Sequence, residues 1–236
     1  MKSGIIQQAA ITILVVFMTG AGTARAQYSN LRITEAMSSS GSGGTVDWFE
    51  LTNYGLTSAT ITGWQVDDSS FAFATSVLLN GVTSIAAGES VIFLESAAGA
   101  DIASFRTFWG GIDSLQIGYY SGSGLGLSAS GDGLVLFDSV GTEVTPRATF
   151  GAATTGSSFY YAFDAAGNPS TSPNANAQVS VSGTLYGQMS FTSDNALNNI
   201  GSPGTAVAIP EPASGALLAL GAIALCRRLR RSRLSS

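Results

Sequence analysis

Apolar and polar residues alternate along the middle of the chain in short runs, each bounded by Gly, Asn, Asp or Ser. A period of two marks a half-buried strand, because successive side chains point to opposite faces. Residues 31–35 alternate cleanly and predict the first strand. In residues 45–51, Val46 and Trp48 fall on one face and Phe49 and Leu51 on the other. Apolar side chains on both faces predict a central strand, covered on both sides. The same reading predicts strands over 60–66, 71–79, 90–94, 133–137, 142–145, 158–163 and 187–191. Ala86-Ala87-Gly88 reads as a turn, and Asp138-Ser139-Val140-Gly141 as a hairpin loop. One segment breaks the pattern. Ile102, Phe105 and Trp109 lie at i, i+3 and i+7, which predicts a short amphipathic helix over 101–109, with Asp101 as N-cap and Gly110 as stop. Nine strands with turns between them predict an all-β sandwich rather than a βαβ fold.

Both ends depart from this pattern and read as processing signals. Residues 1–26 have a positive start at Lys2, an apolar run over 9–18 and small residues closing at Ala24-Arg25-Ala26. As a helix, that run is about 15 Å long, too short to span a bilayer. A secretory signal cleaved by signal peptidase after Ala26, leaving Gln27 first, is the expected reading. At the other end, Pro210-Glu211-Pro212 precedes an apolar stretch over 213–226 and then an arginine cluster. The two prolines impose an extended segment. The fourteen apolar residues span about 21 Å as a helix, short of the roughly 30 Å hydrocarbon core, and the arginines stay cytoplasmic. Such a marginal anchor holds an exposed, extended tripeptide at a membrane. Three units follow: 1–26, the body at 27–208, and 209–236.

Charge sharpens the picture of the body. The whole chain carries ten Lys+Arg and fifteen Asp+Glu, but seven of the basic residues lie in the two end signals. The body keeps Arg32, Arg106 and Arg147 against fourteen acids, a surface that repels phosphate backbones and excludes nucleic acid as a partner. The chain has no histidine, and its one cysteine, Cys226, sits in the C-terminal signal. Disulfides, thiolate metal sites and His-dependent triads are thereby excluded from the body.

The ordered tripeptide, apolar stretch and arginine cluster resemble the PEP-CTERM sorting signal. That resemblance implies an exosortase in the inner membrane of a Gram-negative bacterium, with Pro210, Glu211 and Pro212 as the recognised residues. It also implies a transient membrane intermediate and delivery to the cell surface, in cells that make exopolysaccharide. The body resembles the lamin-tail domain, through Ile33-Thr34-Glu35-Ala36-Met37, Asp47-Trp48-Phe49-Glu50-Leu51-Thr52-Asn53 and Ile61-Thr62-Gly63-Trp64-Gln65-Val66-Asp67-Asp68. Ile85-Ala86-Ala87-Gly88-Glu89, Gly131-Asp132-Gly133-Leu134-Val135-Leu136-Phe137-Asp138 and Gly201-Ser202-Pro203-Gly204 continue it in order. This resemblance implies an immunoglobulin-like β-sandwich that binds proteins or surfaces. Residues 99–127 and 168–187 exceed what such a sandwich needs, and their Gly- and Ser-rich composition predicts long surface loops.

Candidate chemistry is sparse. Glu35, Glu50, Asp67 and Asp68 supply carboxylates, the minimum for glycoside hydrolysis. Glu35 and Glu50 alternate with apolar strand residues, so the favoured reading has them satisfying turn backbone groups or facing solvent. Asp67, Asp68, Asp132 and Asp138 lie in or beside loops and are the calcium candidates, although no Asp-x-Asp-x-Asp-Gly loop occurs. The glycine runs at 122–126 and 151–156 lack the Gly-Lys-Ser/Thr of a phosphate loop. Trp48, Phe49 and Trp64 read as core. Trp109, Tyr119, Tyr120 and residues 159–161 have two readings, packing in the core and rim or stacking on the sugar rings of an exopolysaccharide. The expectation is a non-enzymatic exported module without cofactor. A carbohydrate-binding module and a carboxylate hydrolase are its alternatives.

Overall fold

The computed structural model describes residues 30–206, apart from 42–43, 122–124, 165–166, 169–176, 186–187 and 195–198. Its strands in chain order are β1 (Leu31–Met37), β2 (Trp48–Asn53), β3 (Ala59–Thr60), β4 (Gln65–Asp67), β5 (Val77–Leu78), β6 (Ser84–Ile85) and β7 (Ser90–Glu95). Then come the helix α1 (Ile102–Trp109) and the strands β8 (Ile117–Tyr120), β9 (Asp132–Phe137), β10 (Ala148–Phe150) and β11 (Phe159–Tyr160). The last are β12 (Gln178–Val179), β13 (Gly183–Leu185), β14 (Gln188–Thr192) and β15 (Ile200–Gly201). The larger sheet runs β12-β11-β1-β2-β7-β8, and the smaller runs β10-β9-β4-β5.

The two-sided apolarity of 45–51 finds its cause in this order, since β2 sits between β1 and β7 with every residue buried. Phe49 and Leu51 join Leu31, Ile33, Val91 and Phe93 against Val66, Leu134, Leu136 and Phe150 of the smaller sheet. Each such side chain contributes about 1.5–3 kcal/mol on burial. The opposite face carries Met37, Trp48, Ile92 and Leu94, and α1 closes over it with Phe105, Phe108 and Trp109. Trp48 meets Phe105 and Trp109 edge-on, with ring centroids 5.8 Å away in both cases. The sandwich therefore has a third layer over part of its larger sheet.

A β-bulge in β1 decides what faces that layer. Against β2, Ile33 pairs with Leu51, the register shifts, and Glu35 then pairs with Glu50. An extra residue in one strand reverses the facing of everything after it. Leu31 and Ile33 before the bulge, and Ala36 after it, all point into the core between the sheets. Glu35 is consequently turned to the outer face, beside Glu50.

Several expectations are corrected here. Residues 99–127 are not a surface loop: they supply α1 and β8, and Leu125 and Leu127 are buried in the core. β8 pairs parallel with β7, so α1 forms the crossover of a β-α-β unit inside the sandwich. Residues 168–187 also contribute strands, β12 and β13, with β12 paired to β11. The strand expected over 71–79 shrinks to β5, preceded by a 3-10 turn at Phe73–Thr75. Its cause is Asp67, whose carboxylate accepts from Ser70 Oγ, Ala72 N and Thr75 Oγ1 at 2.6–2.9 Å and wraps the chain around itself. Only one bridge, Phe137 with Glu143, forms where 142–145 is expected as a strand, although the hairpin loop is present. Asp101 stands at the N-cap of α1 without capping it, because its carboxylate takes the Ser96 hydroxyl at 2.6 Å instead. Both flanking hydrophobic signal segments lie outside the described residues.

Close approach in the larger sheet makes one position testable. A Cβ on Gly118 would stand 2.5 Å from both the Asn80 carbonyl oxygen and the Phe93 ring. Gly118→Ala is expected to destabilise the domain by about 1–3 kcal/mol through overpacking. A lowered urea midpoint at unchanged slope is the readout, and an unmoved midpoint contradicts it.

Candidate functional site

The polar feature with most structure around it is the Glu35–Glu50 pair. Adjacent strands place both carboxyls on the outer face of the larger sheet, and both residues are fully buried. Glu35 Oε1 accepts from Ser158 Oγ and from Ser202 N at 2.8 Å, while Glu35 Oε2 accepts from Ser202 Oγ at 2.5 Å. Glu50 Oε1 accepts from Thr34 Oγ1 at 2.6 Å, and Glu50 Oε2 from Gly204 N at 2.6 Å. Thr34, Thr52 and Ser90 continue as a hydroxyl chain behind them. Residues 201–204 thus form a lid over the pair. Gly201 permits the contact: a Cβ there would lie 2.9 Å from both Glu35 Oε1 and the Trp109 ring.

Burial without a cation pushes both carboxyls up from their ordinary value, Glu35 to about 7 and Glu50 to about 8. Burial is the larger cause in each, and the charge of Glu35 adds to it at Glu50. The donors from Ser158, Ser202, Thr34 and Gly204 work in the opposite direction. The pair therefore takes up protons well above the ordinary carboxylate range. Of the two placements weighed from sequence, the carboxyls satisfy turn backbone groups and do not face solvent. Ser158, Ser202 and Gly204 are the partners that sequence reasoning missed, although the Gly-Ser-Pro-Gly segment was its visible trace.

A second carboxyl was also missed. Asp47, just before β2, is pushed up to about 7, first by burial and then by the charge of Glu95. The calcium candidates act as loop builders. Asp132 accepts from Ser69 N, Gly133 N and Ser128 N, and Asp138 from Val140 N and Thr142 N. Asp68 accepts from Ser70 N two residues on. Among the described residues, no group of three or more His, Cys, Asp or Glu is arranged to hold a metal ion.

The aromatic candidates are not brought together on a surface. Trp109 and Tyr120 are buried, at 1% and 0% exposure, so neither offers a ring face to a sugar. Trp109 lies between α1 and β2 because its helix covers the outer sheet face, and Tyr120 packs beside Phe49. Phe159, Tyr160 and Tyr161 are buried as well. Tyr119 alone of the named three is half-exposed, bridged through its backbone to Asn80. An open depression of about 490 Å³ lies where Thr45 and Val46 meet Asp101, Ser104, Thr107 and Phe108.

Ala24, Ala26, Pro210, Glu211 and Pro212 lie outside the described residues. Among those described, no helix is long and apolar enough to cross a membrane. The PEP-CTERM protein-sorting motif model matches residues 208–231, which takes in all three sorting residues. No curated protein matches the chain in a sequence search. The Lamin Tail Domain model matches residues 24–151, more than half of the chain and every strand from β1 to β10, and the chain belongs to that family.

Proposed function

We propose that this chain is an exported protein, processed by an exosortase at its C-terminal motif, whose lamin-tail sandwich serves at the cell surface as a non-enzymatic structural or binding module. The carrying observation is the sorting motif at 208–231, placed directly after a folded domain. Signal peptidase removes residues 1–26, the apolar segment holds the intermediate in the inner membrane, and the exosortase acts at Pro210-Glu211-Pro212. A non-enzymatic role is favoured because the closest carboxyl pair is sealed and spends its oxygens on the chain's own donors. The carbohydrate-binding alternative loses two of its three aromatic contacts to the core.

Mass spectrometry of the released protein tests the sorting reading. The expected product begins at Gln27 and lacks residues 229–236, whereas a host without exosortase retains that tail. A released product still carrying Leu229 to Ser236 overturns it.

A further inference from the structure

Three of the donors held by Glu35 and Glu50 lie on the last turn before the sorting motif among the described residues. Glu35 grips Ser202 through both its N–H and its hydroxyl, and Glu50 grips Gly204 through its N–H. Thr205 closes the turn, donating from N and Oγ1 to the Ser202 carbonyl at 2.9 and 2.7 Å. Only 205–209 then separate Gly204 from Pro210. Even fully extended, that stretch covers at most about 22 Å. The next upstream fixing point is β15, where Ile200 N donates to Gly156 O at 2.7 Å and Ile200 O accepts from Ser158 N at 3.0 Å.

An apolar plug would seal the outer sheet face equally well, since burying charged groups is rarely the more stable choice. Directional bonds to two backbone N–H groups do something a plug cannot: they fix which residue of the lid sits over which carboxyl. Resting on the sorting reading above, we infer that Glu35 and Glu50 are positioning residues for the sorting step, clasping 202–204 to the sandwich and setting how many residues lie between that fixed point and Pro210-Glu211-Pro212. The folded domain then stands close to the membrane when the transfer enzyme engages the tripeptide. Opening the clasp adds up to three residues, roughly 10 Å of reach, to that spacing.

The test uses the full chain in its exporting host, read by the mass of the C-terminus. Deleting 206–208 with the clasp intact is expected to reduce the processed fraction about tenfold, because the domain then obstructs the approach. Adding Glu50→Ala, which removes the acceptor that holds the Gly204 N–H, is expected to restore processing to within about twofold. If that variant fails to accumulate, Glu35→Ala replaces it and removes the acceptor of both Ser202 bonds. Normal processing of the deletion, or no rescue by an opened clasp, overturns the inference. A purely structural role for the glutamates predicts further loss in the double variant, not rescue. Limited proteolysis of purified mature protein separates this from the sorting reading: Glu50→Ala is expected to speed cleavage within 202–206 about tenfold. Unchanged cleavage overturns the clasp whether or not sorting occurs, and a parent chain never processed overturns the sorting reading and its leash.

Discussion

Raising the pH from about 5 to about 9 lowers the stability of the mature domain by several kcal/mol, the reverse of ordinary acid denaturation. The sign follows from Glu35 and Glu50, raised from 4.5 to about 7 and about 8 in the folded state. Groups raised on folding contribute stability that is fully present below their unfolded value and is lost as pH climbs through the folded one. The window therefore opens above about 4.5 and closes past about 8. The groups facing the pair are Thr34, Thr52, Ser158, Ser202 and the Gly204 N–H, none of them cationic. Asp47, raised to about 7, and Glu95, also raised, act with the same sign. Asp138, lowered by the N–H donors of its own hairpin loop, acts with the opposite sign. Urea unfolding at pH 5, 7 and 9 measures the slope. Glu50→Gln supplies a permanently neutral side chain of the same shape, so it flattens the profile and exceeds the parent in stability at pH 9. Glu50→Ala instead strands the Gly204 N–H, costing about 1–3 kcal/mol for the orphaned donor, while the Thr34 hydroxyl keeps Thr52 as its partner. A parent whose stability is flat or rising between pH 5 and 9 contradicts this account.

What the sequence made legible was local or periodic. The alternation at 45–51 announced a central strand because apolar side chains on both faces have only one comfortable place in a layered sheet. Phe105 and Trp109 announced α1 through helical spacing, and both are buried against Trp48. The misses are long-range. Nothing in the local pattern tells that Ile117–Tyr120 pairs parallel with β7, since that pairing depends on how far α1 carries the chain. The Glu35–Glu50 site was hidden for a related reason: without the bulge, simple alternation puts Glu35 on the core face with Leu31 and Ile33. Its donors Ser158 and Ser202 lie more than 100 residues away in sequence. Trp109, Tyr119 and Tyr120 kept both readings, packing or sugar stacking, because composition in a Gly-rich stretch does not reveal the core beneath it.

A fragment ending at residue 151, where the lamin-tail match stops, is expected not to fold, whereas one reaching residue 206 folds cooperatively. Removing 152–206 takes away β11, which covers the β1 edge by pairing Glu35 with Tyr160 and Ala36 with Phe159. Phe150 loses the Phe159 ring stacked 5.0 Å away, and Trp109 loses Phe191 at 5.8 Å. Phe159, Tyr161 and Phe163 leave the core between the sheets, each costing about 1.5–3 kcal/mol in buried apolar surface. Together with the lost lid bonds on Glu35 and Glu50, this reaches the roughly 5–15 kcal/mol by which a whole domain is stable. An unpaired β1 edge beside newly exposed aromatics also invites association. Near-ultraviolet circular dichroism reports Trp48 and Trp109 in their fixed packing: the 27–151 fragment should lack that signal and a urea transition, and 27–206 should have both. A cooperative transition in the short fragment at the parent's midpoint would mean that β11, the later strands and the lid are appendages of a complete sandwich. The pairing of β11 with β1 argues the opposite, because withdrawing β11 and β12 together turns β1 from an interior strand into an unpaired edge.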